Sequence, residues 1–527
     1  MLLSGHMQKE LTQQWSNVEF HLGYQSGAQN DLVVADYASR ALVTKVLAQH
    51  ENSGSAAEKF AQDELKKLKK EDDTSEIKTV TVPYEAQGCL SAAIYCGSPS
   101  SYAAQESLRK AFAHLLCTES TDDKKELLVN VNLRGLKDSR AKEVMAWIAA
   151  LAIVVRYRPH AYGKKAKEEK PFNKLKVAFD TSLNKKTASA AIDEGSVLGF
   201  CNNQVKYLAD LPSNHLHPKA YRETAEKIVK ELAASGKKVS SNFFDKKQLH
   251  RRNAGAFLAV VSADHNDRAG ILHLHYKGTK AKKKLALVGK GLCFDTGGYN
   301  IKTGESMLHM HRDMTGSAVA LSLFRAMVEL GVPYEVNAYL ALAENLISHE
   351  AYRPNDVVVA SNGMSIEVVD TDAEGRMVLS DTLVLASEAN PDLIIDFATL
   401  TGAVVRAIDT RRSGAYSNDA KVGALAVVTG DLCGERVWNF PIGDDYNESL
   451  KSDIADIRQC ATSSSADHIY AATFLSKFVG KTKGKSIPWI HIDLAADTNK
   501  GGLGLIPTDT TGFGVRFGYE LANKVLG

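Results

Sequence analysis

The stretch that decides the fold is LALVGKGLCFDTGGYNIKTGESMLHMHRDMTGSAVALSLF, residues Leu285–Phe324. Its apolar start, Leu285–Val288, predicts a buried β-strand, and a glycine-rich loop that carries Lys290 and Asp295 follows. A helix is then predicted over Thr315–Leu330, because apolar residues recur there at helical spacing and a glycine and a proline follow as stop signals. The segment therefore predicts one strand–loop–helix unit of an α/β fold.

Short apolar runs and amphipathic helices alternate through the rest of the second half of the chain. The strands expected are Leu285–Val288, Glu335–Leu342, Asp392–Ala398, Leu425–Val428 and Trp489–Leu494. The helices expected are Tyr221–Ser235, Thr315–Leu330, Asp381–Ala389 and His468–Val479. Because strands that are apolar throughout and separated by helices are typical of sheets buried on both faces, we expect a central mixed, mostly parallel sheet flanked by helices.

The first part of the chain has the pattern of a smaller α/β domain. Its expected strands are Ile77–Pro83, Leu127–Asn132 and Leu175–Asp180, and its expected helices are Ala35–Gln49 and Ala141–Val155. A long helix over Thr187–Asp210, ended by Pro212, is interpreted as a bridge. The length of 527 residues exceeds the roughly 250–300 residues at which one core stops growing. We therefore expect an α/β protein with an N-terminal domain (1–186), a linking helix (187–210) and a second domain (211–527).

Bulk composition argues against several classes of protein. The chain is 44% hydrophobic and 24% charged, and its 64 basic and 62 acidic residues give a net charge of +2. Neither nucleic acid nor an anionic membrane is therefore expected as the main partner. The seven cysteines include no C-x-x-C pair, which favours reduced thiols. Neither a secretory signal nor a transmembrane run is recognised, so we expect a cytoplasmic protein.

Acidic residues cluster in two segments, and each residue alone has an ordinary structural explanation. Asp295 is typical of a turn, and Asp313 of a helix N-terminus, where the helix dipole favours negative charge. Four acids lie within Glu367–Glu374, and an isolated acidic turn is usually solvated surface. Ligands of open α/β sheets, however, lie at the carboxyl ends of strands, and carboxylates that converge there repel unless cations intervene. We therefore favour a site for divalent ions such as Mg²⁺, Mn²⁺ or Zn²⁺.

Basic residues lie in the same two segments. By default, Lys290, Lys302 and Arg376 are salt-bridge partners of the neighbouring acids. A lysine can also ligate a metal when nearby cations lower its pKa, and a protonated lysine can stabilise an oxyanion. His309 and His311 are interpreted as neighbours or surface residues, since their loop already supplies an aspartate. The chain contains no H-E-x-x-H motif, so the single-zinc metallopeptidase class has no support.

Two motifs in these segments are specific. The first motif is DTDAEGR, at Asp370–Arg376. The second lies upstream: Lys290 is followed by FDTGG (Phe294–Gly298), then by a second lysine, Lys302, and by Asp313. With these motifs the chain resembles the leucyl aminopeptidase family of dinuclear metallopeptidases, whose signatures are N-T-D-A-E-G-R and F-D-S-G-G. Further matches are Ala343–Asn345, Ala398–Ala403, Ser452–Asp456 and His491–Ala495. The resemblance is specific from about Thr187 to the C-terminus.

The resemblance implies a role for each matched residue. The implied metal ligands are Lys290, Asp295, Asp313, Asp372 and Glu374. Asp295 and Glu374 match the carboxylates that touch both metals, and a hydroxide between the metals would be the nucleophile. Lys302 would polarise the scissile carbonyl. Arg376 matches the arginine that holds a bicarbonate ion, which is thought to act as the general base.

The resemblance also implies substrate, cofactors and assembly. Residues that match the pocket for the first side chain of the substrate are Met310, Thr399, Leu400, Gly402 and Ala495. This lining is mostly apolar, so peptides with a leucine-like first residue are the expected substrates. Two divalent ions per subunit are expected, Zn or Mn, with Mg or Co as alternatives. The expected assembly is a homohexamer.

Some positions depart from the family pattern and leave alternatives open. In Ser463–Tyr470 the family has small, glycine-like residues, whereas His468 and Tyr470 are bulky, and Ala496–Asp497 also departs near the pocket wall. A dipeptidase, such as a Cys-Gly hydrolase, is therefore one alternative. A catalytically silent oligomeric scaffold is another, and the intact Lys302 and metal ligands argue against it. A role on DNA gains little support from the near-zero net charge.

Overall fold

The computed structural model describes residues 17–25, 30–36, 42–47, 55–67, 77–83, 89–95, 101–117, 127–159, 162–163, 174–280, 282–462 and 466–527. Within these ranges the chain forms a six-stranded sheet, an eight-stranded sheet and two small sheets. Among the described residues, no helix combines the length and the apolar character needed to cross a membrane.

The six-stranded sheet belongs to the first part of the chain. Its strands are β1 (Val18–Leu22), β2 (Asn30–Asp36), β3 (Ile77–Pro83), β4 (Cys89–Tyr95), β5 (Leu127–Gly135) and β6 (Leu175–Asp180). They lie in the order β1-β6-β5-β2-β4-β3 and pair in parallel, except for the antiparallel β3 and β4. The accompanying helices are α1 (Leu42–Leu47), α2 (Ser55–Lys67), α3 (Ser101–Cys117) and α4 (Asp138–Val154). The predicted strands of this region are confirmed.

The helix predicted over Ala35–Gln49 is wrong at its start. Ala35 and Asp36 belong to β2, and a helix is described only over Leu42–Leu47; residues 37–41 and 48–49 lie outside the described ranges. The physical reason is tertiary, because β2 pairs with β4 on one side and with β5 on the other. Its apolar residues are fully buried there, and this burial outweighs local helix propensity.

A long helix follows the first sheet. Helix α5 (Lys185–Asp210) begins where the Asn184 side chain accepts a hydrogen bond from the Thr187 N–H and ends at Leu211, which is extended. It packs against α4 through Gly195, where a Cβ atom would collide with the carbonyl oxygen of Ala146. The predicted helix is therefore present, whereas its role as a link between two domains stays a prediction.

The second part of the chain contains the large sheet and the smaller ones. Its strands are β7 (Val239–Asp245), β8 (Gly270–Tyr276), β9 (Lys284–Asp295), β10 (Glu335–Asn345), β11 (Val357–Val359), β12 (Ser365–Glu367), β13 (Leu393–Ala398), β14 (Ser413–Ser417), β15 (Val437–Phe440), β16 (Ile457–Arg458), β17 (Lys481–Thr482), β18 (Lys485–Ser486) and β19 (Trp489–Asp493). Its helices are α6 (Pro218–Ala234), α7 (Lys246–Arg251), α8 (Gly255–Val260), α9 (Thr315–Leu330), α10 (Glu374–Ser387), α11 (Gly402–Ile408), α12 (Ala420–Cys433), α13 (Asp467–Ser476) and α14 (Val515–Leu526).

The large sheet has the order β15-β14-β19-β13-β9-β10-β8-β7. Its four central strands, β19, β13, β9 and β10, are parallel, and antiparallel pairs occur only toward the edges. The central strands are buried along almost their whole length. The predicted mixed, mostly parallel sheet with flanking helices is confirmed.

Two local predictions for this part are wrong. Leu425–Val428 lies inside helix α12, which Asp419 caps and the left-handed Gly434 ends. A short apolar run has no decisive period, so the caps and not the run itself identify the helix. Lys290 and Asp295 lie in β9 rather than in a loop, because β9 stays paired with β10 as far as Asp295.

Candidate metal centre

The sequence-predicted metal ligands converge at the carboxyl end of β9. Lys290 lies inside β9 and Asp295 ends it. Asp313 lies two residues before α9, Asp372 lies two residues before α10, and Glu374 is the first residue of α10. The fold therefore brings together residues from three separate parts of the sequence, at the edge of the sheet where open α/β proteins bind ligands.

Three carboxylates form the centre of this cluster. Asp295, Asp372 and Glu374 each offer an oxygen, and these three oxygens lie within 4.8 Å of one another. Asp295 and Glu374 are buried, and the side chain of Asp372 is 33% exposed. Carboxylates so close together in a poorly solvated place repel one another, and divalent cations relieve such repulsion.

Each lysine joins two of the acidic side chains. The Lys290 Nζ lies 2.8 Å from an oxygen of Asp313 and 3.0 Å from an oxygen of Glu374. The Lys302 Nζ lies 2.6 Å from an oxygen of Asp372 and 3.0 Å from an oxygen of Asp295. Two ammonium groups therefore face four carboxylates, which leaves an excess of negative charge for cations to balance.

The electrostatics of the centre follow from this excess. Burial and then the charge of Asp295 raise the pKa of Glu374, and burial raises the pKa of Asp313 although Lys290 opposes it. Burial works against the charge of both lysines, but the surrounding carboxylates outweigh it and raise the lysine pKa values.

Two buried oxygens give a direct test of whether metal ions fit this centre. Neither Asp313 Oδ2 nor Glu374 Oε2 has a hydrogen-bond partner among the residues that the structure describes. Buried polar atoms without partners are rare and costly. Unpartnered carboxylate oxygens that face a crowded acidic cluster are the hard donors that divalent ions need, so the donor set fits two such ions.

A layer of hydrogen bonds holds the carboxylates in place. The Asn345 amide and the Gly297 N–H each donate to Asp295 Oδ1 over 2.9 Å. The Thr399 hydroxyl donates to Asp313 over 2.9 Å, and its carbonyl oxygen accepts from Lys290 over 3.0 Å. Asn345 lies in one of the matched motifs, but the motif by itself predicts no function for it. Such neighbours orient metal ligands and tune their affinity.

Arg376 is a further basic residue of the site, and its side chain is buried. Its Nη2 donates to both carboxylate oxygens of Asp467, each over 2.9 Å, and its Nη1 donates to the Gln459 carbonyl oxygen over 3.3 Å. Burial opposes the charge of the guanidinium, but Asp467 outweighs it and raises the pKa of Arg376. This carboxylate therefore already occupies Nη2, and the binding of a bicarbonate ion to Arg376 stays a prediction.

The residues predicted to line a substrate pocket lie at different depths. Thr399 and Leu400 directly follow β13, and Leu400 donates its N–H to Asp493 over 2.9 Å. Gly402 is exposed at the start of α11, Met310 is half-buried in a short 3₁₀ turn, and Ala495 is buried after β19. Thr399 touches two predicted metal ligands directly, and contact of all five with substrate stays a prediction.

The positions that depart from the family pattern are only partly described, because 463–465 lie outside the described ranges. His468 is buried, and its Nδ1 lies 2.8 Å from the Tyr416 hydroxyl. Tyr470 packs edge-on against Tyr446. Burial raises the pKa of Asp497 to about 6. His468 therefore packs into the protein interior.

The two histidines of the β9–α9 loop do not join the acidic cluster. His309 is exposed, with its backbone in the left-handed region, and its ring lies 6.1 Å from that of His311. Among the described residues, the group that could hold a metal ion consists of carboxylates alone. The interpretation of both histidines as neighbours agrees with this placement.

A mostly parallel α/β sheet whose strand ends carry converging carboxylates and lysines is an arrangement expected of a metal-dependent enzyme. Residues 203–518 match the family described as the cytosol aminopeptidase family, catalytic domain. A probable cytosol aminopeptidase of Corynebacterium diphtheriae is 38% identical over 360 residues, which cover 67% of this chain and 69% of that protein. A probable cytosol aminopeptidase of Aquifex aeolicus is 34% identical over 424 residues, 80% and 82% of the two chains.

The chain belongs to the cytosol aminopeptidase family and is a metallo-exopeptidase. Members of this family are dinuclear metal enzymes that act on peptides, and this chain has an acidic cluster that could hold metal ions. The structure of apo leucyl aminopeptidase from Trypanosoma cruzi superposes with a TM-score of 0.76 at 23% identity and covers 98% of this chain and 99% of that one. At that identity the superposition shows the shared fold.

Proposed function

We propose that this protein releases the N-terminal residue of peptides, with a preference for leucine-like residues. The observation that carries the proposal is the cluster of Asp295, Asp372 and Glu374, with ligand oxygens within 4.8 Å of one another. When bound there, two divalent ions would lower the pKa of a water between them and so supply a hydroxide as the nucleophile.

The ligand assignment follows from contacts between the side chains. Asp295 and Glu374, the two buried members of the cluster, are proposed to bridge both ions. Lys290 and Asp313, whose side chains lie 2.8 Å apart, would complete one site, and Asp372 the other. A set of one nitrogen and several oxygen donors suits Zn or Mn, with Mg or Co as alternatives.

Lys302 is the proposed oxyanion donor. Its side chain is 14% exposed, so it borders solvent while its Nζ stays anchored to Asp372 and Asp295. A fixed ammonium group beside the scissile carbonyl stabilises the negative charge that develops on the oxygen during attack. Because nearby carboxylates raise its pKa, the lysine is protonated at neutral pH and can fill this role.

The proposed substrate preference rests on the mostly apolar set of residues that the family resemblance implies for the pocket: Met310, Thr399, Leu400, Gly402 and Ala495. A dipeptidase acting on a short substrate such as Cys-Gly is the second candidate, favoured by the departures at Ser463–Tyr470. A catalytically silent scaffold would not need metal ligands, and the predicted ligands are all present in this chain.

Assembly, location and domain division are proposed from the family resemblance. We propose a homohexamer in the cytoplasm, in line with relatives named cytosol aminopeptidases. The proposed domains are 1–186 and 211–527, with 187–210 as the linking helix. In the structure the six-stranded sheet ends at Asp180 and the eight-stranded sheet begins at Val239, which supports this division.

The test is a panel of aminoacyl fluorogenic substrates and dipeptides, with metal-free enzyme refilled with Mn²⁺, Zn²⁺ or Co²⁺. We expect metal-dependent release with leucine near the top of the panel. Asp372→Ala should lose bound metal, whereas Lys302→Ala should keep its metal and lose kcat by about 100-fold or more. Glu388→Gln, at an exposed ion pair with Arg252, is the matched control.

Absence of release with every metal would refute the proposal. Cleavage of Cys-Gly alone would favour the dipeptidase. Full kcat in Lys302→Ala would contradict the oxyanion role.

A further inference from the structure

The buried guanidinium of Arg376 is paired with a carboxylate from a helix that is distant in sequence, that of Asp467. Asp467 is the first residue of α13, and both of its oxygens lie 2.9 Å from Arg376 Nη2. The arginine side chain is 2% exposed and the aspartate side chain 35% exposed. The Asp467 side chain is therefore bound to a buried cation and is at the same time partly accessible to solvent.

The contact leaves little room for a free anion. Nη1 is already bonded to the Gln459 carbonyl oxygen, and Nε is buried without a partner among the described residues. An oxyanion prefers a fork of two parallel N–H donors, and a single buried nitrogen does not offer one. To use the Nη2 edge, a bicarbonate ion would have to displace Asp467 and leave it without its partner.

Asp467 lies in Ser463–Tyr470, where the resembled family has small residues. A small residue leaves the guanidinium uncovered, so that an external anion can bind to it. This chain instead carries a side chain with the charge and the two oxygens of such an anion. Arg376, which holds this carboxylate, follows the predicted ligand Glu374 by two residues in the first turn of α10.

We propose that Asp467 supplies, from within the chain, the carboxylate that Arg376 holds, and that it replaces a free bicarbonate as the proton carrier. This inference rests on the proposed peptidase function. As the water oxygen bonds to the scissile carbonyl carbon, the water proton passes to the Asp467 carboxylate. As the C–N bond breaks, the carboxylic acid returns that proton to the leaving amine, so Asp467 ends in its starting state.

The test compares the wild type with Asp467→Ala in bicarbonate-free buffer and with added bicarbonate. We expect wild-type kcat to be independent of bicarbonate. Asp467→Ala should lose about 10²–10⁴-fold in kcat, the usual contribution of a proton carrier, and should regain at least tenfold with bicarbonate. Metal content, measured by mass spectrometry, should stay at the wild-type level.

A binding measurement gives a readout that does not depend on activity. Calorimetric titration should show saturable bicarbonate binding to Asp467→Ala and none to the wild type. Glu388→Gln is the matched control, because Arg252 donates to both oxygens of Glu388 over 2.9 Å at an exposed site. This variant should neither bind bicarbonate nor respond to it.

Several outcomes would overturn the inference. They are saturable bicarbonate binding to the wild type, bicarbonate activation of the wild type, and undiminished kcat in Asp467→Ala. If Asp467→Ala does not fold, Asp467→Glu and Asp467→Gln decide: activity in the glutamate variant alone supports a proton carrier, and equal activity in both refutes it. If the wild type is inactive with every metal, the proposed function fails, and calorimetry still decides whether Asp467 occupies the anion position.

Discussion

Replacing Gly375 by alanine should damage the metal centre without unfolding the protein. Gly375 is the second residue of α10, beside the predicted ligand Glu374. A Cβ atom there would lie 2.6 Å from Lys290 Cε, 2.7 Å from Lys290 Nζ and 2.9 Å from Leu400 Cδ1. Ordinary contacts between such atoms are about 3.5–4.0 Å, so the lysine amine must retreat by roughly 0.8 Å.

That displacement is large for a metal ligand and small for the fold. Lys290 now lies 2.8 Å from Asp313 and 3.0 Å from Glu374, and ligand distances in metal sites hold to about ±0.2 Å. Overpacking costs about 1–3 kcal/mol, and alanine returns up to about 1 kcal/mol of helix propensity. We therefore expect a loss of stability of about 0–2 kcal/mol and a fall in metal affinity of about 10–100-fold, as for disturbed metal surroundings.

The assay measures metal content after dialysis, kcat and the midpoint of thermal unfolding on the same samples. Gly375→Ala should retain close to one metal equivalent where the wild type retains two. Gly163→Ala is the control, because a Cβ atom there has no neighbour within 4 Å. A Gly375→Ala enzyme with the full metal complement and wild-type kcat would refute the placement of Lys290 at the metal site.

Two further predictions concern stability. Burial lowers the pKa of Lys206 to about 7 from an ordinary 10.5, so between these values the unfolded chain binds more protons than the folded protein, and stability should rise with pH through this window. In denaturant titrations at pH 6 to 10, Lys206→Met should flatten the rise of the unfolding free energy with pH. An unchanged slope of that free energy against pH would contradict the lowered pKa of Lys206. Asp381 accepts hydrogen bonds from the Phe257 and Ser361 N–H groups over 2.8 and 2.7 Å; Asp381→Ala should cost about 2–4 kcal/mol by leaving buried donors unpaired, and a cost below 1 kcal/mol would contradict that count.

Helix α9 shows what sequence alone can predict. Its apolar residues recur at helical spacing and Gly331 stops it in the left-handed conformation, so the predicted bounds Thr315–Leu330 are those observed. Leu425–Val428 shows the limit, because four apolar residues fit a strand and a helix equally well. The length of β9 is another limit, because the strand extends to Asp295 through its pairing with β10, which the local sequence does not show.

The candidate site was predictable where chemistry and motif lie in one segment. Asp372, Glu374 and Arg376 are neighbours in sequence, and the structure places Asp372 in the turn before α10 and the other two in its first turn. Asp467 was not predictable in the same way, because 91 residues separate it from Arg376. A departure from a family pattern marks a position as unusual, but only tertiary structure shows which partner the new side chain meets.

The acidic side chains of the site differ in burial: some are fully buried and others are partly exposed to solvent. Asp295 and Glu374 lie on regular elements, and Asp295 is further held by hydrogen bonds, so their positions change little without disturbing the sheet. Asp372 and Asp467 are each about one third exposed, and each is paired with a cation, Lys302 and Arg376 respectively. Metal binding is proposed to need Asp372 together with the two buried carboxylates, whereas the proposed proton transfer involves Asp467, which is not a predicted ligand. The proposed replacement of a bicarbonate ion by Asp467 therefore changes a position outside the predicted ligand set, and all five predicted metal ligands are retained.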